Sequence, residues 1–119
     1  LKCLIADDAA HARELLWSIL EDMGFDILEA ADGEEAIRLA ILSLPQVIVL
    51  NIGLPKKSGI EVVSTLRRQA PLQKTPIIAL IAAAGQYEHT HLSQAGFSRV
   101  LVKPVNPAEL RAVISEFTC

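Results

Sequence analysis

The sequence predicts an α/β fold built on a doubly wound parallel sheet of five strands. Three observations predict it. Short apolar runs alternate with amphipathic stretches along all 119 residues, the pattern of repeated strand–helix units. Two of the runs, Val47–Leu50 (VIVL) and Pro76–Ile81 (PIIALI), are apolar throughout, so their strands are expected to be covered on both faces. Helix-sized connections then require parallel pairing, and right-handed crossovers place helices on both sides of the sheet.

The elements follow in order. Lys2–Ala6 is the first strand, and the acid pair Asp7-Asp8 follows it. Leu15, Leu16, Ile19, Leu20 and Met23 recur at helical spacing, and Gly24 ends that helix. Asp26–Ala30 is a second, weaker strand. Asp32 with Glu35 offers a capping box for a helix that gathers Ala36, Ile37, Ala40 and Ile41 on one face. Val47–Leu50 is the third strand. Ser58 with Glu61 caps a helix through about Gln69. Pro76–Ile81 is the fourth strand. Gln86–Ala95 is a helix in which Tyr87, His91 and Leu92 give little to bury. Arg99–Val102 is the fifth strand. Asn106, Pro107 and Glu109 combine an N-cap, a proline at the first helical position and a capping acid. Leu110, Val113, Ile114 and Phe117 form the stripe of the last helix. Two helices are expected on one face of the sheet and three on the other, the first and last sharing a face.

The length suits one domain spanning residues 1–119, since single cores run to roughly 100–200 residues. With Leu1 at its start, the chain reads as a domain excised from a longer protein. Apolar residues at 51% and charged residues at 21% exclude a disordered tail. The net charge of −3 is uneven: residues 1–51 hold ten acids against three bases, and the rest four against eight. That distribution argues against direct nucleic-acid binding, which needs a concentrated basic face. No apolar run is long enough to span a membrane. Cys3 and Cys119 stand at opposite ends and form no disulfide framework, so a reducing, cytoplasmic setting is expected.

Functional groups in such sheets gather at the carboxyl ends of the strands. Those positions hold Asp7 and Asp8, Asn51, Ile81 with Ala82, and Lys103. Adjacent carboxylates repel unless a cation lies between them, and a hard divalent ion such as Mg²⁺ suits them. Two acids near a helix N-terminus are also stabilised by the macrodipole alone. Lys103, before Pro104, reads equally as a surface lysine. His11 reads as solvent-facing, and His89 and His91 are spaced i, i+2 and point to different faces, so they make no metal pair. Trp17 reads as a partly exposed aromatic on the first helix, and Lys56, Lys57, Arg67 and Arg68 as a solvated basic face.

Together, LIADDAA (Leu4–Ala10), VIVLNIGLPKKSGIEVV (Val47–Val63), PIIALIAAAG (Pro76–Gly85) and GFSRVLVKPVNPAEL (Gly96–Leu110) closely resemble the receiver domain of bacterial response regulators. The resemblance covers essentially the whole chain. It implies a flavodoxin-like sheet of order 2-1-3-4-5. It implies an Mg²⁺ site formed by Asp7, Asp8 and the main-chain carbonyl of Gly53. It also implies an aspartate after strand 3 that takes a phosphoryl group from a histidine kinase or phosphotransfer protein. A hydroxyl after strand 4 and the lysine after strand 5 would bind the phosphoryl oxygens. The bond between Lys103 and Pro104 is often cis in the family.

The sequence departs from that pattern where the chemistry occurs. The phosphoacceptor position holds Asn51, whose amide is a poor nucleophile. The hydroxyl position holds Ile81, and the switch aromatic of strand 5 is replaced by Val100. Three departures, rather than one, favour a natural pseudo-receiver over an engineered block. With two carboxylates and Lys103 the site is formally −1 instead of −2, so Mg²⁺ is expected to bind weakly or not at all. The expected role is regulation through protein–protein interaction, without catalysis. Partners would be a histidine kinase, a phosphotransfer protein or an output domain, and helix 4, strand 5 and helix 5 offer a homodimer surface. The alternative is a conventional phosphoacceptor of a response regulator or hybrid histidine kinase seen as an Asn51 variant. A flavin-binding or enzymatic reading fails because the loop ADDAAH would repel a phosphate and no nucleophile–base pair is present.

Overall fold

A computed structural model describes residues 1–83, 87 and 89–118. The elements are β1 (Lys2–Ala6), α1 (Ala10–Asp22), β2 (Asp26–Ala30), α2 (Gly33–Ser43), β3 (Val47–Asn51), α3 (Gly59–Arg67), β4 (Ile77–Ile81), α4 (His89–Ala95), β5 (Arg99–Val102) and α5 (Pro107–Thr118). A 3₁₀ turn, Ala70–Leu72, lies between α3 and β4. Every strand pairing is parallel, and the order is β2-β1-β3-β4-β5. The doubly wound fold read from the sequence is the fold observed.

The two-residue period of the strands divides their side chains between two cores. Cys3, Ile5, Val47, Val49, Ile78, Leu80 and Leu101 meet Leu16, Ile19 and Leu20 of α1 and Leu110 and Ile114 of α5. Leu4, Ala6, Ile48, Leu50, Ile77, Ala79 and Ile81 meet Ala36 and Ala40 of α2, Val62, Val63 and Leu66 of α3, and Leu92 of α4. The first and last helices therefore share a face. Burying each large side chain contributes about 1.5–3 kcal/mol, which is why the uniformly apolar β3 and β4 take the centre of the sheet.

Local signals set the helix ends. Ser58 and Glu61 form the reciprocal capping box read from the sequence. Asn106 Oδ1 accepts from the N–H groups of Ala108 and Glu109. Asp32 accepts from the Glu35 N–H at 2.8 Å, but the Glu35 carboxylate reaches the Ala31 N–H at 2.9 Å, one residue before the position a capping box uses. Gly24, just beyond α1, has φ +94°, a value that favours glycine.

Three further expectations need correction. α3 ends at Arg67 rather than near Gln69, because the chain tightens into the 3₁₀ turn around Pro71. Leu92 is fully buried, so α4 does contribute to the core; the expected start of that helix at Gln86 lies outside the described residues. Arg67 is no part of a solvated basic face. It is half-buried, and its guanidinium donates to the carbonyls of Leu72, Thr75 and Gly96 at 2.7–3.0 Å. The cost of burying the cation lowers its pKa.

Candidate functional site

The carboxyl ends of β1, β3, β4 and β5 meet at one end of the sheet. Asp7 follows β1 directly and is fully buried. Its N–H continues the ladder by donating to the Ala30 carbonyl on β2 at 3.1 Å. One carboxylate oxygen accepts from the Ala9 N–H at 3.0 Å, and the other from Lys103 Nζ at 2.6 Å. Both oxygens are thus engaged by the chain itself. Asp8, next along, is exposed. Asn51 Nδ2 donates to Asp8 Oδ1 at 3.2 Å. The amide faces the carboxylate through nitrogen because an ionised carboxylate only accepts.

Asp8, Asn51, Ile52, Gly53, Ile81, Tyr87 and Lys103 line a cavity of about 290 Å³. Ile81 is buried and presents a branched apolar side chain to this space. The sequence-predicted residues Asp7, Asp8, Asn51, Gly53, Ile81 and Lys103 are therefore brought together. Val100 is not among them: it lies on β5 against the α4 side of the sheet, near Ser93 and Phe97. The peptide bond between Lys103 and Pro104 is cis.

The end of β3 is held by Gly59 at the start of α3. The Gly59 N–H donates to the Ile52 carbonyl at 2.7 Å. A Cβ on Gly59 would lie 2.7 Å from Ile52 Cα and 2.9 Å from the Asn51 carbonyl oxygen. No side chain larger than hydrogen fits there without displacing Asn51.

The oxygen donors are of the type a hard cation prefers, but the set fits a tight divalent site poorly. Each oxygen of Asp7 already accepts a bond, from Lys103 or from Ala9. Asp8 is shared with the Asn51 amide. Among the described residues no group of three His, Cys, Asp or Glu side chains converges on a point. Covalent chemistry has little to start from either. Burial pushes the Cys3 thiol up to about 12, leaving it protonated and inert, and Cys3 is remote from the cavity lining.

The sequence reading gave no site role to two residues of this region, and Tyr87, expected in the fourth helix, lies before its start at His89. Arg13, in the first turn of α1, donates through Nη1 to the Asp7 carbonyl at 2.6 Å and pairs through Nε with Glu29 at 3.4 Å. The signal was a cation where the helix macrodipole disfavours one. Tyr87 lines the cavity from the segment after β4, and nothing in its sequence context marks it.

Comparison with known proteins agrees with the fold. The family model described as the response regulator receiver domain matches residues 3–115. The alkaline phosphatase synthesis transcriptional regulatory protein PhoP of Bacillus subtilis (strain 168) is 37% identical over 111 residues, covering 93% of this chain and 45% of that protein. This chain thus spans about half the length of that regulator. Among solved structures, the chemotaxis response regulator CheY4 of Vibrio cholerae superposes with a TM-score of 0.91 at 30% identity, covering 98% of this chain and 97% of that one. The receiver domain of the sensor histidine kinase PA1611 from Pseudomonas aeruginosa PAO1, with magnesium coordinated in its active-site cleft, superposes with a TM-score of 0.90 at 28% identity, covering 98% and 95%. By the family match across its length and by its sheet order, the chain belongs to the response regulator receiver domain family.

Proposed function

We propose that this receiver domain is a pseudo-receiver: it acts in two-component signalling by protein–protein interaction, without aspartyl phosphorylation and without turnover. The observation that carries the proposal is Asn51 at the end of β3, hydrogen-bonded to Asp8 where a phosphoacceptor carboxylate would stand. An amide offers no anionic oxygen to attack phosphorus. Ile81 adds to this, since it cannot donate to a phosphoryl oxygen. Val100 is too small to swing between a pocket and the surface as a switch aromatic would.

Mg²⁺ binds weakly in this reading, for the donor-set reasons given above, although the PA1611 receiver holds the ion in its cleft. The partners are a histidine kinase, a phosphotransfer protein or an output domain, in the same polypeptide or another. The α4, β5 and α5 surface serves output or self-association. We place the domain in the cytoplasm as one unit of a longer protein; no helix among the described residues is long and apolar enough to cross a membrane.

Incubation with acetyl phosphate and Mg²⁺, followed by intact-mass analysis, tests the proposal. The expected result is no adduct. A stoichiometric, hydroxylamine-labile phosphoryl adduct on protein whose Asn51 has not deamidated overturns it. The competing reading, an otherwise working receiver blocked at Asn51, predicts full labelling once Asn51→Asp is made.

A further inference from the structure

We infer that Arg13 is the positioning residue of the acid crevice, holding the Asp7 peptide so that its carboxylate meets Lys103. The inference concerns what fixes the crevice and stands whether or not the domain is ever phosphorylated.

Asp7 is the first residue beyond β1, and its carbonyl oxygen has run out of strand to pair with. The residue is fully buried, so an unpaired carbonyl there would keep its whole desolvation cost. Arg13 supplies the missing donor at 2.6 Å. It reaches Asp7 because side chains on a helix lean towards its N-terminus, and the Arg13 N–H donates to the Ala9 carbonyl, which places the residue one turn from the loop. Its Nε is tied in turn to Glu29 on β2, and the next residue, Ala30, accepts the Asp7 N–H. The peptide groups on both sides of the Asp7 Cα are therefore fixed to β2, one by the sheet ladder and one through the guanidinium. With the backbone pinned on both sides, side-chain rotation alone directs the carboxylate, and the Ala9 N–H bond restrains that rotation.

Arg13 and Lys103 are both cations and only donate, so they couple either through Asp7 or by direct repulsion, with opposite signs. This gives a test whose sign is diagnostic. Urea unfolding is measured for the wild type, Arg13→Gln, Lys103→Met and the double variant. A parallel cycle uses Arg111→Gln, which breaks the surface pair with Asp22 on α1. If Arg13 positions Asp7, losing it devalues the bridge. Lys103→Met then lowers the folding equilibrium constant by a factor at least fivefold smaller in the Arg13→Gln background than in the wild type, while the Arg111→Gln cycle is additive within twofold. Equal effects in both backgrounds overturn the inference, because Arg13 would then stabilise the fold alone. A larger effect of Lys103→Met without Arg13 also overturns it, since that sign means direct repulsion between two cations. Should Arg13→Gln fail to fold, Arg13→Lys keeps a donor for the carbonyl and Glu29→Gln keeps the guanidinium. Both enter the same cycle, with the exchange rate of the Lys103 ammonium protons by NMR as second readout. Faster exchange in Glu29→Gln supports the inference, and an unchanged rate in both variants refutes it.

Discussion

Asn51 and Asp8 are joined by a 3.2 Å hydrogen bond across the ends of β3 and β1. A second carboxylate at position 51 would face Asp8 with like charge and would need a cation between them. The amide removes that need. The crevice is then held by bonds within the chain: Asn51 to Asp8, Lys103 to Asp7, and Ala9 to Asp7.

Restoring the carboxylate is expected to restore cation binding but only part of the reactivity. Asn51→Asp returns a nucleophile, yet Ile81 still faces the cavity without a hydroxyl. A missing hydrogen bond to a charged group costs about 1.5–3 kcal/mol. If made mainly in the transition state, that is about a 10- to 150-fold loss in rate. Acetyl-phosphate labelling of Asn51→Asp should therefore be slower by that factor than labelling of Asn51→Asp with Ile81→Thr. Equal rates would show that Ile81 is no lesion.

Lys103→Met should destabilise the domain markedly. Asp7 is fully buried, and Lys103 is its cationic partner at 2.6 Å. Removing one partner of a buried pair costs about 3–5 kcal/mol, and the partial exposure of the lysine reduces this to about 2–3 kcal/mol. Adding Asp7→Asn should recover part of the loss, because the stranded charge disappears. Urea midpoints of the wild type and the two variants decide the matter.

Asp32 gives the domain a pH-dependent cap. The Glu35 N–H, above all, holds its carboxyl below the ordinary value of 3.8 against the opposing effect of burial, and the charge of Lys56 adds a lesser lowering. A depressed folded-state pKa contributes stability that is complete above the unfolded value and lost as pH falls through the folded one. Asp32→Ala should thus be less stable than the wild type at pH 7, and the gap should narrow below pH 3.8. Chemical unfolding at neutral pH and near pH 3 checks this; a constant gap would leave the cap without an electrostatic part.

Arg67→Lys should cost about 2–4 kcal/mol despite keeping the charge. The guanidinium serves three carbonyls from different segments. A lysine's point charge cannot serve all three carbonyls at once, and losing charge-assisted bonds at about 1.5–3 kcal/mol each, offset in part by water at this half-buried site, sets the range. A urea midpoint within error of the wild type would mean that water replaces the lost donors.

The fold was legible because its signals were redundant. β3 and β4 are apolar at every position inside the strand except Asn51, and Ser58 and Asn106 mark helix starts with side chains suited to no other local role. The site was legible as a set of strand-end residues, since a parallel sheet brings such ends together whatever their identity. What stayed hidden depends on long side chains crossing between elements. Arg67 reads as one more surface cation until β4 and β5 stand beside it. Arg13 carries its meaning only once the Asp7 carbonyl is seen to lack a ladder partner. Leu92 looked like a lone apolar residue because one fully buried position suffices to seat so short a helix.

The division of each central strand between two cores also governs which changes of length the chain can absorb. In β4, Ile77, Ala79 and Ile81 serve one side and Ile78 and Leu80 the other. Deleting a single residue within that strand would turn the side chains of β4 beyond the deletion to the opposite layer. It would also shift Ile81 off the cavity wall and carry the chain leading to Lys103 with it. Changes of length are best absorbed in the connections at the other end of the sheet, such as the segment between Arg68 and Pro76, where register restarts at the next strand.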